Sequence, residues 1–442
     1  MDNEYFPTYK IVTGNQRLIS SSGLMLVGQV LKHTRLRQKL NALSEKGYTH
    51  MNHECVVGYL GLLCQGKTAY ENIREMQEDP KYHCEALRLR SIPSPETLRQ
   101  RLDEIGFELA AKDILMDESA ELLREINIQP SPCFTGHIPV DADVSPHDNS
   151  KTKKEGVSRT YKGIDGYAPM YAYMGTEGYL VNVELREGTC HSQCEGTVEF
   201  FESTLRMAKT ITDKKLLIRL DSGNDSLDNI KLFNSEGADY IIKRNLRNES
   251  LEQWLITAKQ HGTATNPRDG KTVYVGSVYR DRGLENPLRV VFSVTERTTL
   301  ANGQLLLAPD IEVDSWWVSL DNTEKDVIRL YREHATCEQF HSEIKSDIGL
   351  ERFPSCRFDT NAAILKIAAF AYNILRIIGQ TALYGGGKLV RDGTKRIRVK
   401  TVIQNLIYIA GHVVSHARQK FLNLGRCNIW RNTFIGLYQA FA

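Results

Sequence analysis

A mixed α/β sheet with helices, interrupted by a β-rich insertion and flanked by helical regions, is the fold class this sequence predicts. Three observations point to it. Between about residues 135 and 244, short apolar runs and helical periodicity follow the order β-β-β-α-β-α-β. From about 245 to 320, after one short helix, Val, Tyr, Ile and Phe alternate with polar residues. On either side of these stretches the apolar spacing is helical.

Taken in order, residues 1–130 read as a helical region, with helix-like spacing over Leu24–Leu43 and Glu54–Gln77. Ser94-Pro95-Glu96-Thr97 opens another helix, Ser94 as its cap and Pro95 in its first turn. Arg99 and Arg101 on that helix fit either a helix-turn-helix-like reader of DNA or a bundle with no such role. The first part of the sheet spans 131–244. Its strands are expected at His137–Val144, Tyr167–Met174, Tyr179–Arg186, Leu216–Leu220 and Asp239–Lys243, and its helices at Glu195–Lys209 and Asp225–Ser235. Gly175-Thr176-Glu177-Gly178 joins two strands as a hairpin connection. The insertion takes 245–320, with strands at Thr272–Tyr279, Leu288–Val294, Leu305–Leu307 and Ile311–Ser319. One helix over Glu324–Ser346 completes the core, which ends near 350, and 351–442 is read as helical with a glycine run at 385–387.

The chain has 442 residues and a net charge of +2, so its overall charge selects no partner. Local basic tracts do suggest a polyanion: Arg88 to Arg101, Lys151 to Lys162, and Lys388, Arg391, Lys395, Arg396, Arg398 and Lys400. Each tract alone also reads as an ordinary solvated surface. Nine scattered cysteines without paired zinc spacing fit a reducing compartment; Cys190, His191 and Cys194 are the nearest approach to a metal cluster. Met1-Asp2-Asn3-Glu4 lacks the features of a signal peptide. Ala362–Leu383, the most apolar stretch, is broken by Lys366, Asn373 and Arg376, which favours a buried helix over a membrane span. The expected setting is the cytoplasm.

The chemistry-bearing residues are acids. Asp141 and Asp143 are two apart on a strand, so both face one side and repel unless a cation or proton intervenes. Asp221 ends an apolar strand before Ser222-Gly223, where sites form in open α/β sheets; alone it also reads as a turn former or helix cap. On the helix, Tyr331, His334, Glu338 and Lys345 fall within roughly a 60° arc at 100° per residue. Leu330, Cys337, Phe340 and Ile344 form a separate apolar face for docking, and Glu343 lies roughly 140° from Glu338. Three converging carboxylates suit Mg²⁺ or Mn²⁺, and two such ions can activate a nucleophile and stabilise a leaving 3′-oxygen in phosphodiester cleavage.

Taken together, these residues resemble the DDE transposases of bacterial insertion sequences, in the branch with a Tyr-(2)-Arg-(3)-Glu-(6)-Lys signature. Tyr331, Glu338 and Lys345 match at the right spacing, and His334 stands where the family has Arg. Leu220-Asp221-Ser222-Gly223 resembles the second acidic motif and Val140-Asp141-Ala142-Asp143-Val144-Ser145 the first; Ser346–Leu350 and Ala371-Tyr372-Asn373 are also similar. The resemblance covers roughly residues 135 to 380. It implies a ribonuclease-H-like core and a catalytic, metal-holding triad of Asp143, Asp221 and Glu338. Asp143 is preferred because the family places Ser or Thr two residues later, as Ser145 is here, with Asp141 as alternative or supporting residue. It implies DNA contacts by Tyr331, Lys345 and His334, or Arg332 in place of His334. Trp316 or Trp317, closing the insertion, could stack a flipped base for about 1–3 kcal/mol, although a buried pair is an equal reading.

The implied function is cut-and-paste transposition with two Mg²⁺ or Mn²⁺ ions. The implied partners are double-stranded DNA, as terminal inverted repeats and target, and a second copy of the chain in the DNA complex, with no membrane. The setting would be the bacterial nucleoid. A metal-dependent nuclease on the same fold and a non-catalytic DNA-binding descendant are the alternatives.

Overall fold

The computed structural model describes residues 9–43, 51–300, 302–385, 389–391 and 393–442. The first eight residues, Lys388 and most of the glycine run at 385–387 lie outside the described residues. A nine-stranded mixed sheet forms the centre. In chain order its strands are β1 (Ile138–Val144), β2 (Met170–Met174), β3 (Tyr179–Glu184), β4 (Leu216–Leu220), β5 (Asp239–Lys243), β6 (Gly262–Arg268), β7 (Lys271–Arg280), β8 (Leu288–Thr299) and β9 (Leu305–Val318). Across the sheet they lie in the order β6-β7-β8-β9-β5-β4-β1-β2-β3.

β1, β2 and β3 form an antiparallel meander. β4 and β5 are parallel to β1 and reached through helices Thr197–Ile211 and Leu227–Ser235, because a parallel neighbour needs a crossover. The insertion then adds its four strands to the free edge of β5 through β9, with Trp317 opposite Ile242. Gly262–Arg268 was not expected as a strand. It is largely exposed, poor in apolar residues and carries Pro267, all of which suit only an outer edge. The two short strands expected over 305–319 are one continuous strand.

Period-2 alternation sorts the sheet's faces. Val140, Ala142 and Val144 of β1 join Ile218 and Leu220 of β4 in one apolar cluster with Phe200, Phe201 and Phe233 of the crossover helices. Asp141, Asp143 and Arg219 therefore face the other side, where the helix carrying Glu338 docks. There Phe340 packs on Tyr173, ring centroids 5.1 Å apart. Gly178 makes room: it has φ of 73°, and a Cβ there would sit 2.3 Å from the Phe340 ring.

The expected single helix over Glu324–Ser346 is divided. An α-helix spans Glu324–Arg332, a 3₁₀ turn Glu333–Thr336, a second α-segment Cys337–Ser342 and a π turn Glu343–Asp347. The overwound turn coincides with His334 reaching Asp141, and the underwound one with Glu343 reaching Arg376. A rotation of 100° per residue therefore does not hold through this stretch.

The long apolar segment is a helix, Phe358–Tyr384, long and apolar enough to cross a membrane, but 89% of its most apolar window is buried inside the protein. Its polar residues have partners: Asn373 accepts from Leu180 N at 2.9 Å and donates to Leu180 O at 2.7 Å, holding strand β3. N-terminal helices, the Glu338-bearing segment and C-terminal helices share one apolar cluster with it. Ser94 caps Pro95–Phe107 by accepting from Thr97 N. Arg99 and Arg101 on that helix do not form a bare basic face. Arg99 bonds Glu96 and Asp103, and Arg101, buried, bonds Glu104 and Asn52.

The C-terminal region is not wholly helical. Gly411–His416 and Gln419–Leu424 form a hairpin that pairs with Leu18–Ile19. Its turn holds Ala417 and Arg418 at φ of 48° and 66°, a conformation usually signalled by Asn-Gly, so the sequence lacks the usual mark. Cys190 and Cys194 are joined by a disulfide, which the sequence reading did not foresee.

Glu343 and Arg376 are a fully buried ion pair that ties the π turn to the long helix. Glu343→Ala leaves the Arg376 charge uncompensated and is expected to cost about 3–5 kcal/mol. Replacing both by apolar residues is expected to recover most of that loss, as read by urea unfolding.

Candidate active site

β1 brings Asp141 and Asp143 to the same face, but their surroundings differ. Arg219, from the adjacent β4, donates from Nε to Asp141 Oδ1 at 2.6 Å and from Nη2 to Oδ2 at 2.7 Å. Its third contact, Nη1 to Leu330 O at 2.7 Å, reaches the end of the first helical segment. His334 Nδ1 lies 3.0 Å from Asp141 Oδ1. Burial raises the Asp141 carboxyl, but Arg219 and His334 outweigh it and hold the carboxyl below its ordinary value. Asp141 thus spends both oxygens inside the fold. Asp143 keeps one oxygen on Val144 N at 2.7 Å, and the other faces His341, 3.7 Å from its Nε2.

Asp221 ends β4 and is followed by a 3₁₀ turn, Ser222–Asn224. Gly223 permits close approach, since a Cβ there would meet Ser192 Oγ at 2.6 Å and Asp221 Oδ1 at 3.3 Å. Asn224 Nδ2 donates to Asp221 Oδ1 at 2.8 Å. Burial, then the charge of Asp143, push the Asp221 carboxyl above its ordinary value. Glu338 is exposed on the segment Cys337–Ser342, with Cys337 and Phe340 beneath it.

Tyr161 feels the charge of all three acids. Its hydroxyl donates to Val144 O at 3.1 Å, and its phenol is pushed up by burial and then by the charges of Asp143, Asp221 and Glu338. Asp143, Asp221 and Glu338 are therefore each near enough to Tyr161 to act on its phenol. Among the described residues, no three His, Cys, Asp or Glu side chains stand close enough to form a finished metal cluster. The donor set nevertheless fits a hard cation. Two of its carboxylates repel each other, and the Asn224 amide oxygen beside Asp221 is buried without a hydrogen-bond partner.

The four helix residues do not share one open face. Tyr331 is half-buried, its ring 5.5 Å from Trp316 and 5.8 Å from His334. His334 is only 9% exposed and committed to Asp141, so it does not face outward as the spacing suggested. Lys345 is half-buried on Pro146 O, and burial lowers its pKa. Arg332 is exposed.

Neither tryptophan is a bare platform: Trp316 is 4% and Trp317 3% exposed. Trp317 donates to Asp225 Oδ1 at 2.7 Å, and the Arg244 guanidinium covers its ring at 4.4 Å. It borders two adjoining clefts of about 640 and 610 Å³ that share Arg244, Glu249 and Arg282.

Three contributors escaped the sequence reading. Arg219 was a charged residue within the apolar run Leu216–Leu220, which is a usable signal. His341 lies one turn after Glu338, also a usable signal. Tyr161 sits in a loop beside a two-residue strand, Ser158–Arg159, where no periodicity singles it out.

The family described as "Transposase DDE domain group 1" matches residues 10–442. The chain belongs to that family. No curated protein matches the sequence. Among solved structures, this transposase-family chain is similar to a piggyBac transposase synaptic complex with hairpin DNA. The two are 11% identical with a TM-score of 0.41, over 88% of this chain and 78% of that one.

The Asp141 cluster predicts a pH dependence. Burial opposes charge on His334, but Asp141 outweighs it, and the His334 pKa is raised. A raised histidine pKa contributes stability that is fully present below the unfolded value, about 6.5, and is lost as pH rises through the folded value. Urea unfolding should therefore show a stability difference between wild type and His334→Asn that is largest below about pH 6.5 and shrinks above the folded pKa.

Proposed function

We propose that this protein is a cut-and-paste transposase of a bacterial insertion sequence, with Asp143, Asp221 and Glu338 as its catalytic triad. The observation that supports the reading is that Asp143, Asp221 and Glu338 all act on the Tyr161 phenol, in a chain of the DDE transposase family. A ribonuclease-H-like core is part of the proposal; an antiparallel meander β1-β2-β3 followed by parallel β4 and β5 supports it.

Asp143 and Asp221, with Glu338 opposite, would hold two Mg²⁺ or Mn²⁺ ions. When bound, the ions supply nucleophile activation and charge neutralisation at the leaving oxygen. The residues themselves set the geometry. Asp141 serves as the support behind Asp143 rather than as a ligand, because Arg219 and His334 occupy its oxygens. Hydrolysis at the end of the element and attack by the freed 3′-hydroxyl are the same in-line displacement at phosphorus, so one set of acids serves both.

The proposed substrate is double-stranded DNA, first the terminal inverted repeats and then the target, with two copies of the chain pairing two ends. The region 1–130 and the basic tracts would hold the repeats. Tyr331 and Lys345 border the acids and would touch phosphate there; the exposed Arg332 suits the role that His334, turned inward, does not. A flipped base would enter the clefts beside Trp317, where it must displace a guanidinium to stack. The setting proposed is the bacterial cytoplasm, at the nucleoid.

The test is excision of a marked DNA segment bounded by the gene's own flanking sequences. Cells expressing wild type should excise it. Glu338→Ala at equal protein level should reduce excision on the order of 10³-fold or more, as for loss of a central catalytic group. Excision by both proteins would sink the triad. Mn²⁺-dependent cleavage without strand joining by the purified protein would make it a nuclease.

A further inference from the structure

Three residues of the basic tract near the C-terminus, Lys395, Arg396 and Arg398, line one cleft. This cleft of about 500 Å³ lies beside Glu338, with Glu338, Gln339 and Ser342 on one wall and Lys395, Arg396 and Arg398 on the other. The basic wall is held in place. Gln380 Nε2 donates to Lys395 O at 3.1 Å, Arg376 Nη1 donates to Ile397 O at 2.9 Å, and the Ile397 side chain is buried. Arg396 Nη2 donates to Gln339 Oε1 at 2.6 Å and stacks over Phe340, 4.5 Å from its ring centre.

Charge matching decides which groups remain for a ligand. Arg398 is spent on both oxygens of Asp347, at 2.8 and 2.9 Å. Glu343 is taken by the buried Arg376, with Arg396 Nε farther away at 3.8 Å. Lys395 is exposed and makes no side-chain hydrogen bond or ion pair among the described residues. Arg396 is bonded only to a neutral amide at its guanidinium tip. The cleft thus offers two cations along its length and the Glu338 carboxylate on its wall. The two cations complement neighbouring phosphates of a polyanionic chain, and a phosphate beside Glu338 would need the divalent cations proposed above to offset the like charges.

We propose that this cleft holds one strand of DNA beside Glu338, with neighbouring phosphates held by Lys395 and Arg396. The proposal rests on the transposase reading above and adds to it the path of the substrate backbone on the Glu338 side. The clefts beside Trp317 adjoin Asp225, four residues after Asp221.

The experiment is the salt dependence of binding, by fluorescence anisotropy, between the full-length protein and a labelled duplex of the DNA flanking the gene, in EDTA. Wild type, Lys395→Ala and Lys214→Ala are compared. Lys214 is exposed just before β4, at the end opposite Asp221, and its loss changes net charge equally. Loss of one phosphate contact should flatten the slope of log K against log salt by about 0.9 in Lys395→Ala and leave it unchanged in Lys214→Ala. An unchanged slope in Lys395→Ala, or an equal change in both variants, overturns this strand path while leaving DNA binding intact. Wild type that does not bind the duplex overturns the strand path together with the reading on which it rests.

Discussion

The Arg219–Asp141 pair is the contact on which the rest of the site depends. It crosses from β4 to β1 inside the fold, uses both oxygens of the carboxylate, and extends to Leu330 O and His334 on the helix above. A bidentate pair fixes orientation as well as distance. Here it fixes the helix against the sheet just before Glu338. A buried charge pair is weak evidence for stability, since apolar residues of like volume often serve as well. Its value in this fold is positional: no apolar contact would define the rotation of that helix so narrowly.

The same face of the sheet thus holds two aspartates with opposite duties. Asp141 is surrounded by positive groups and kept ionised. Asp143 looks across at Asp221, whose carboxyl is raised by burial and by Asp143 itself. One strand therefore carries an acid paired with an arginine and, two residues on, one without that partner. The contrast comes from the neighbours each side chain is given, with the backbone doing no more than aligning them.

Much of this could be read from the residues. The alternation in β1 put Asp141 and Asp143 on one face, and the apolar run before Asp221 marked a buried strand end. The apolar set Cys337, Phe340 and Ile344 set the docking side of the Glu338 helix, and all three are buried. What escaped depended on long-range contacts. His334 turns inward because Asp141 waits for it, and Asp141 is not near it in sequence. The 3₁₀ and π turns follow buried ion pairs rather than local propensity. The hairpin at 411–424 turns through Ala417-Arg418, where no glycine or asparagine announces it. Trp316 and Trp317 could be placed on one strand from the sequence, but their burial depends on what covers each side.

The placement of the insertion between β5 and the Glu338 helix also bears on how the chain is made. β1 with Asp143, β4 with Asp221 just past its end, and β5 leave the ribosome early. Glu338 follows only after the whole antiparallel meander β6 to β9 has been synthesised. That meander is built from neighbouring strands and closes through short-range contacts, whereas docking of the helix joins residues far apart in the chain. Glu338 therefore reaches its place late, and a nascent or truncated chain ending within the insertion carries Asp143 and Asp221 without Glu338.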